Sequence, residues 1–498
     1  MIEGILIGLN TALSIKNIIM VMIGCFAGTI IGMLPGLGPM TAIALMIPIT
    51  YGFEPSTGLI LMAGVYYGAV FGGSTSSILI NAPGIPGTVA TSFDGYPMAQ
   101  QGKAGKALAI AAYSSFAGGT IAAIFLLFAA PSLSKVSLAF RSPDYFGLMI
   151  LGLTAVSAFS AKGHFLKAMM MVVLGLMLAS VGQDTLSDIP RFVFNNMNLA
   201  DGISFVLVVM ATFAMSEALS IIFKGSDPTQ AAKQISLSKL GSIRLDKEET
   251  KKMVTTIPRS SIIGFIVGVL PGAGSTIASF LAYGMERNFV KDEEKQKFGK
   301  GSVNGLSAPE TANNAACSGS FVPLLTLGIP GSGTTAVMLG ALLGFGIQPG
   351  PRLYQTNPEI FWSVIMSMYI GMVILLILNL PLIPYIARIL AVPRAFLIPL
   401  ILFFSVTGIY LMSFNNFDIF LMIGIAVLAT VLRLYDFPMP PLILAFVLGG
   451  LMEENLRRSL LISDGSFSFL WERPVTAVII VFTILIVSWQ AYQSLKSK

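Results

Sequence analysis

The sequence predicts an all-α, multi-pass membrane protein built from two related halves with broken helices. Three observations predict it. Of the 498 residues 55% are hydrophobic and only 11% charged, where a soluble domain carries about 25% charged residues, and mean hydropathy is +0.82. Apolar runs of about 20 residues, enough for a bilayer core of about 30 Å, recur along the whole chain. Finally, the pattern G-x-x-x-G-x-x-P-G-x-G occurs twice inside apolar segments, as Gly28–Gly38 and Gly264–Gly274. A β-barrel would show short alternating segments instead.

In chain order, the apolar elements are expected at 17–34, 40–52, 56–72, 106–130, 144–160, 165–181 and 202–223. They resume at 260–271, 275–286, 306–327, 334–347, 360–383, 396–412, 417–433, 441–452 and 474–490. Gly4–Ile15 is short enough to lie along the interface. It lacks a basic cluster and a cleavage site, so it is expected to stay. The division is a first half, 1–223, a linker, 224–259, and a second half, 260–498. The linker holds eight basic residues against four acidic ones, which places it in the cytoplasm. The loop 182–201, with Asp184, Asp188 and Asp201 against Arg191, belongs on the outer side. The net charge of +6 reports such loops rather than a nucleic-acid partner. Cys25 and Cys317 sit in apolar segments and imply neither disulfide nor metal.

Each Pro-Gly-x-Gly interrupts a helix and frees backbone groups that lipid cannot satisfy, so each must face protein or a watery cavity. Two such breaks in corresponding halves point to a site between them. Arms of 11 residues, Ser260–Leu270 and Ser275–Met285, are about 17 Å long, half a bilayer. Both flanks are basic, so a re-entrant hairpin opening to the cytoplasm is expected. The first copy, flanked by Lys16 and Glu54, is expected to open to the periplasm, giving an inverted repeat. A kinked full-length span is the alternative. A second pair of signals, Gly84-Ile85-Pro86-Gly87 and Gly328-Ile329-Pro330-Gly331, supports duplication, with an eight-residue insertion in the second half.

Helix starts near Thr41 and Thr276 aim positive amide ends at the breaks and suit a carboxylate. The carbonyl ends of the preceding arms, near Gly36 and Gly272, suit sodium. Around the breaks the candidates include Pro39, Met40, Ser275 and Thr276. Around the second signals they are Ser74, Thr75, Ser76 and Asn81, then Asn313, Asn314, Ser318, Ser320, Ser332, Thr334 and Thr335. The bland role of Gly and Ser in membrane helices is close packing, but packing does not require Pro-Gly-x-Gly twice. Among ionisable residues, Glu217 reads as snorkelling to the cytoplasmic interface, and Glu310 either faces the site or caps its helix. Asp94, beside Gly95 and Pro97, reads as a turn, His164 as loop, and Arg457-Arg458 as an interfacial flank. No Walker motif appears. Gly331–Ala336 mimics a dinucleotide fingerprint only weakly. One histidine and no His/Cys cluster argue against a membrane metalloenzyme.

At Gly28–Thr41, Gly72–Gly87, Gly264–Thr276 and Gly328–Gly331 the chain resembles the large permease subunit of the tripartite tricarboxylate transporters, the TctA family, over nearly its whole length. The resemblance implies a secondary transporter of the bacterial inner membrane. It also implies a small membrane subunit and a periplasmic solute-binding protein as partners. Citrate or a related carboxylate would be the substrate and sodium the usual coupling ion, with no other cofactor. It marks Pro35, Gly36, Gly38, Thr41, Pro271, Gly272, Gly274, Ser275 and Thr276 as the core of the site. The resulting expectation is ion-coupled uptake through an elevator-like movement of both hairpins against a scaffold. A channel, an integral-membrane enzyme, or a carboxylate permease without a binding protein are the rivals.

Overall fold

The computed structural model describes residues 2–158, 165–184, 187, 189–224, 241–272, 274–386 and 394–496. His164, Asp188 and linker residues 225–240 lie outside them. Among the described residues each apolar run anticipated above falls mainly on helix. The first half runs α1 Ile2–Ala12, α2 Ile15–Met33, α3 Gly38–Thr50, α4 Pro55–Ile80, α5 Val89–Met98, α6 Ala104–Ser137, α7 Ser142–Ala158 and α8 Phe165–Ala179. Helix α9, Phe205–Val209, passes through a π-helical stretch, Met210–Met215, into α10, Ser216–Lys224. Then follow α11 Lys247–Val269, α12 Gly274–Phe289, α13 Val303–Gly319, α14 Phe321–Leu327, α15 Gly333–Gly344 and α16 Pro358–Asn379. The last are α17 Arg394–Ser413, α18 Asn416–Leu434, α19 Pro440–Ile462 and α20 Pro474–Lys496. Among the described residues, six helical spans are long and apolar enough to cross a membrane. The chain is an all-α multi-pass membrane protein. One two-residue antiparallel ladder joins Gly182–Gln183 to Pro190–Arg191.

Glycine spacing sets the packing. Gly24, Gly28 and Gly32 on α2 rest on the backbone of α4 at Leu61, Val65 and Ala69. Gly64, Gly68 and Gly72 on α4 rest in return on Val21, Cys25 and Thr29. A Cβ at Gly28 would stand 2.2 Å from the Val65 carbonyl oxygen. Lipid offers no hydrophobic drive between helices, so such close approach supplies the attraction. The second half repeats the contact: Gly264 and Gly268 on α11 lie against Ala312 and Ala316 on α13. The two parts of the repeated motif thus do different jobs. Its leading glycines pack, while Gly36, Gly38, Gly272 and Gly274 adopt φ of +96°, +62°, +82° and +61°, a region open to glycine at little cost.

The breaks form hairpins. Lys16, at the start of α2, pairs with Glu54, just after α3, at 3.5 Å. At the second break Arg259 on α11 meets Glu286 on α12 at 2.6 Å, and Lys252 meets Glu294 at 2.8 Å. The flanks of each break therefore meet, which excludes the kinked-span alternative. The arms are longer than expected. Helix α11 has 23 residues instead of 11, because Asp246 and Glu249 form a capping box that starts it inside the linker.

The second signal also needs correction. Gly84 abuts the carbonyl of Gly32 as Gly331 abuts that of Gly268. Asn81 and Gly328 end α4 and α14 with φ of +51° and +69°. Asn81–Gly84 is therefore the counterpart of Gly328–Gly331, and the identical string Gly84–Gly87 lies three residues out of register. The insertion is eleven residues rather than eight.

Asp94 is not in a turn. It is fully buried on α5 and accepts hydrogen bonds from the backbone amides of Gly299, Gly301 and Ser302 at 2.7–2.9 Å and from the Tyr283 hydroxyl at 3.0 Å. It ties the first half to the chain entering α13.

Gly28→Val must drive α2 and α4 apart, and a loss of about 1–3 kcal/mol of stability is expected, read as a lower melting temperature in detergent. Gly424→Ala, where a Cβ meets nothing within 4 Å, should leave that temperature unchanged. Equal stability of both variants would contradict the packing account.

Candidate functional site

At the first break α2 ends at Met33, and Leu34 turns extended. Pro35 has no amide to donate, and Gly36 and Gly38 carry the chain through left-handed backbone into α3. That helix starts at Gly38 with no side-chain cap. Its first amides are orphan donors with about half a positive charge. Beside this end lies a cavity of about 590 Å³. Gly36–Thr41, Pro83–Pro86, Val89, Phe213, Glu217, Arg433 and Phe437–Pro440 line it.

An ion pair stands in the wall. Arg433, in the last turn of α18, donates from Nη1 to Glu217 on α10. Its Nε donates to Ser216 Oγ at 2.9 Å and its Nη2 to the Thr212 carbonyl at 2.9 Å. The guanidinium lies over the Phe213 ring, 5.8 Å from its centroid. Thr41 Oγ1 donates to the Phe213 carbonyl at 3.2 Å. Glu217 is therefore held by Arg433 in the cavity wall. The π-helical stretch before it, of a kind often found at functional sites, leads into the cavity wall, and a Cβ at Gly36 would stand 3.2 Å from Glu217 Oε1. Arg433 gives the cavity wall a basic group that was not among the site residues expected from the sequence. Its signal in the sequence was an arginine closing one apolar run and a glutamate near the end of another.

The second break is built differently. The Gly272 amide donates to the Gly331 carbonyl at 3.1 Å, and a Cβ at Gly272 would meet the Val156 amide at 2.5 Å. Pro271, Ser275 and Thr276 are half-buried here, with Gly274. Each half reaches into the other's break. Gly87 of the first half faces Asn313 Oδ1 and Ser275 Oγ, at 2.6 and 3.2 Å from a Cβ placed on it. Gly333 of the second half faces the Met40 sulfur at 2.9 Å in the same sense. Asn313 is fully buried, and among the described residues neither of its side-chain polar atoms has a partner. The Asn314 Oδ1 has none either, while its Nδ2 donates to the Glu310 carbonyl at 3.1 Å. A buried amide without partners is costly and suits a polar ligand.

Other residues expected at the site are engaged in the fold. Ser332 caps α15 in a capping box with Thr335, and Tyr66 Oη lies 3.4 Å from its Oγ. Ser318 bonds Tyr67 and the Gly119 carbonyl, Ser320 the Cys317 carbonyl, and Ser76 the Gly73 carbonyl. Asn81 is the exposed end of α4. Thr75 and Thr334 are buried. Ser74 donates to Glu310, which Thr91 and Ser115 also reach. Glu310 is thus neither a cap nor a wall of the cavity.

Comparison with known families matches residues 18–444 to the tripartite tricarboxylate transporter TctA family. The chain belongs to that family. It is 41% identical over 498 residues, all of this chain and 98% of the relative, to an uncharacterised 52.8 kDa protein from the TAR-I ttuC' 3' region of Agrobacterium vitis. It is also 41% identical over 235 residues, 47% of this chain and 96% of the relative, to an uncharacterised protein from the TAR-II ttuC' 3' region of the same organism. No solved structure matches significantly. Membership of the TctA family makes the chain a component of a membrane transporter and implies partner subunits.

Gly87→Ala places a methyl group between Asn313 and Ser275, whose side chains can yield. The protein should fold with an unchanged melting temperature and lose substrate uptake at least tenfold. Full uptake would show that this meeting point takes no part in transport.

Proposed function

We propose that the chain is the substrate-translocating permease of a binding-protein-dependent, ion-coupled uptake system for tricarboxylates such as citrate in the bacterial inner membrane. One observation carries the reading: the cavity at the first break joins the uncapped start of α3 to Arg433. Orphan amides and a guanidinium are both suited to carboxylate oxygens, the latter in bidentate fashion. Glu217 competes for the same guanidinium. An incoming carboxylate that takes its place exchanges one ion pair for another, so entry costs little desolvation of the arginine.

The matched hairpins and their crossed loops support an inverted repeat in which first half, linker and second half divide near 224–259. The hairpins would move together against the remaining helices, carrying the site across the bilayer. The family supports a small membrane subunit and a periplasmic binding protein as partners. A sodium or proton gradient would drive uptake, and for sodium the carbonyl ends beside Gly36 and Gly272, with Asn313 Oδ1, are the suitable ligands.

Reconstituted vesicles given radiolabelled di- and tricarboxylates, with and without the cognate binding protein, test this. Arg433→Gln should lower uptake of the preferred tricarboxylate at least tenfold, and the double variant Arg433→Gln with Glu217→Gln should not restore it. If the double variant transports like the parent, the pair is only a structural bridge and the assignment fails.

A further inference from the structure

Glu310 lies mid-way along α13 and is fully buried. Ser74 Oγ, on α4, donates to its carboxylate at 2.7–2.8 Å, Ser115 Oγ, on α6, donates at 2.8 Å, and Thr91 Oγ1, on α5, donates to the same group. Among the described residues no cation pairs with it. An ionised carboxylate far from water and without a counter-charge is costly, and such a group takes up a proton instead. Three hydroxyls reduce that cost without abolishing it, since they stabilise the anion but bring no charge.

Several charged and titratable groups on the helices packed around it are engaged elsewhere. Asp94 on α5 holds backbone amides and Tyr283. Lys106 on α6 pairs with Glu249 and Asp246. Arg259 on α11 pairs with Glu286 on α12. Tyr66 and Tyr67 on α4 bond Ser332 and Ser318, and Cys317 on α13 lies two turns away. The three hydroxyls stand at hydrogen-bond distance from the carboxylate and are placed to donate to it.

We propose that Glu310 is the site of the coupling proton, its carboxylate binding one proton in one stage of the transport cycle and releasing it in another. The bond formed is a single O–H on the carboxylate, and no other reactant is needed. The three donors sit on three different helices of the first half, while Glu310 belongs to the second. Any displacement among α4, α5, α6 and α13 removes donors from the anion and raises its affinity for a proton. By linkage, proton binding then favours the displaced arrangement. Asn313 and Asn314, one turn along α13, continue the polar track toward Gly87 and Ser275 at the second break. The proposal rests on the transport reading for what the proton does, but not for its presence.

Two measurements test it. Infrared difference spectra of the purified protein across a pH series should show the carbonyl stretch of a protonated carboxyl that titrates in the parent and is missing in Glu310→Gln. Ser115→Ala, which deletes one donor to the ionised form, should move that titration to higher pH. This variant also carries the test if Glu310→Gln fails to fold. In vesicles, Glu310→Gln should keep substrate exchange and lose accumulation driven by an imposed proton gradient at least tenfold. A carboxyl band unchanged in Glu310→Gln overturns the proposal. So does proton-driven accumulation that survives the substitution, or accumulation in the parent that follows sodium and no proton. A titrating band in a parent protein that moves no carboxylate keeps the proton site and sinks the transport reading alone.

Discussion

A membrane helix can be interrupted only if something other than lipid answers the freed amides and carbonyls. This chain interrupts itself twice, and the rest of the fold is arranged around those two points. At Gly272 the answer is protein: its amide bonds the Gly331 carbonyl. At α3 the first turn has no side-chain cap and opens on a cavity that holds a guanidinium. The two breaks share a backbone shape, with glycines at positive φ in matching positions, yet at one an amide is bonded within the fold and at the other the helix start opens on a cavity.

Glycine packing makes the arrangement possible. With no side chains between them, α2 and α4, and α11 and α13, approach until backbone meets backbone. That approach brings Gly84 onto the Gly32 carbonyl and Gly331 onto the Gly268 carbonyl, so the loops after α4 and α14 sit against the breaks. From there each loop extends into the other half, Gly87 toward Ser275 and Gly333 toward Met40. Asp94 and Glu310 lie on the same seam. Asp94 fixes it with backbone amides, whereas Glu310 has only hydroxyls. A firmly held carboxylate and a loosely compensated one on the same seam are what a joint that must hold and also respond requires.

Hydropathy made the helices legible, because a run of apolar residues has few alternatives in a bilayer. The repeated Pro-Gly-x-Gly was legible because left-handed backbone demands glycine. Where a residue other than glycine does the same work, identity misleads. Asn81 takes the left-handed position that Gly328 takes, since asparagine tolerates it, and the matching string three residues later drew the wrong register. Helix α5 was hidden by Gly95 and Pro97, which read as a turn, while the amides that Asp94 receives come from some 200 positions away. The Glu217–Arg433 pair was hidden for the same reason: each residue closes an apolar run, and a local reading sends both to the interface. Their partnership across 216 positions is a property of the packed bundle.

The central claim is that the interrupted backbone at Pro35–Thr41, with Arg433 beside it, receives a carboxylate. A density map of the substrate-loaded protein in lipid tests it most directly. The account predicts helices broken at Pro35 and Pro271 and ligand density against the first turn of α3 and the Arg433 guanidinium. Unbroken helices through both prolines, or ligand density remote from both breaks, would contradict it.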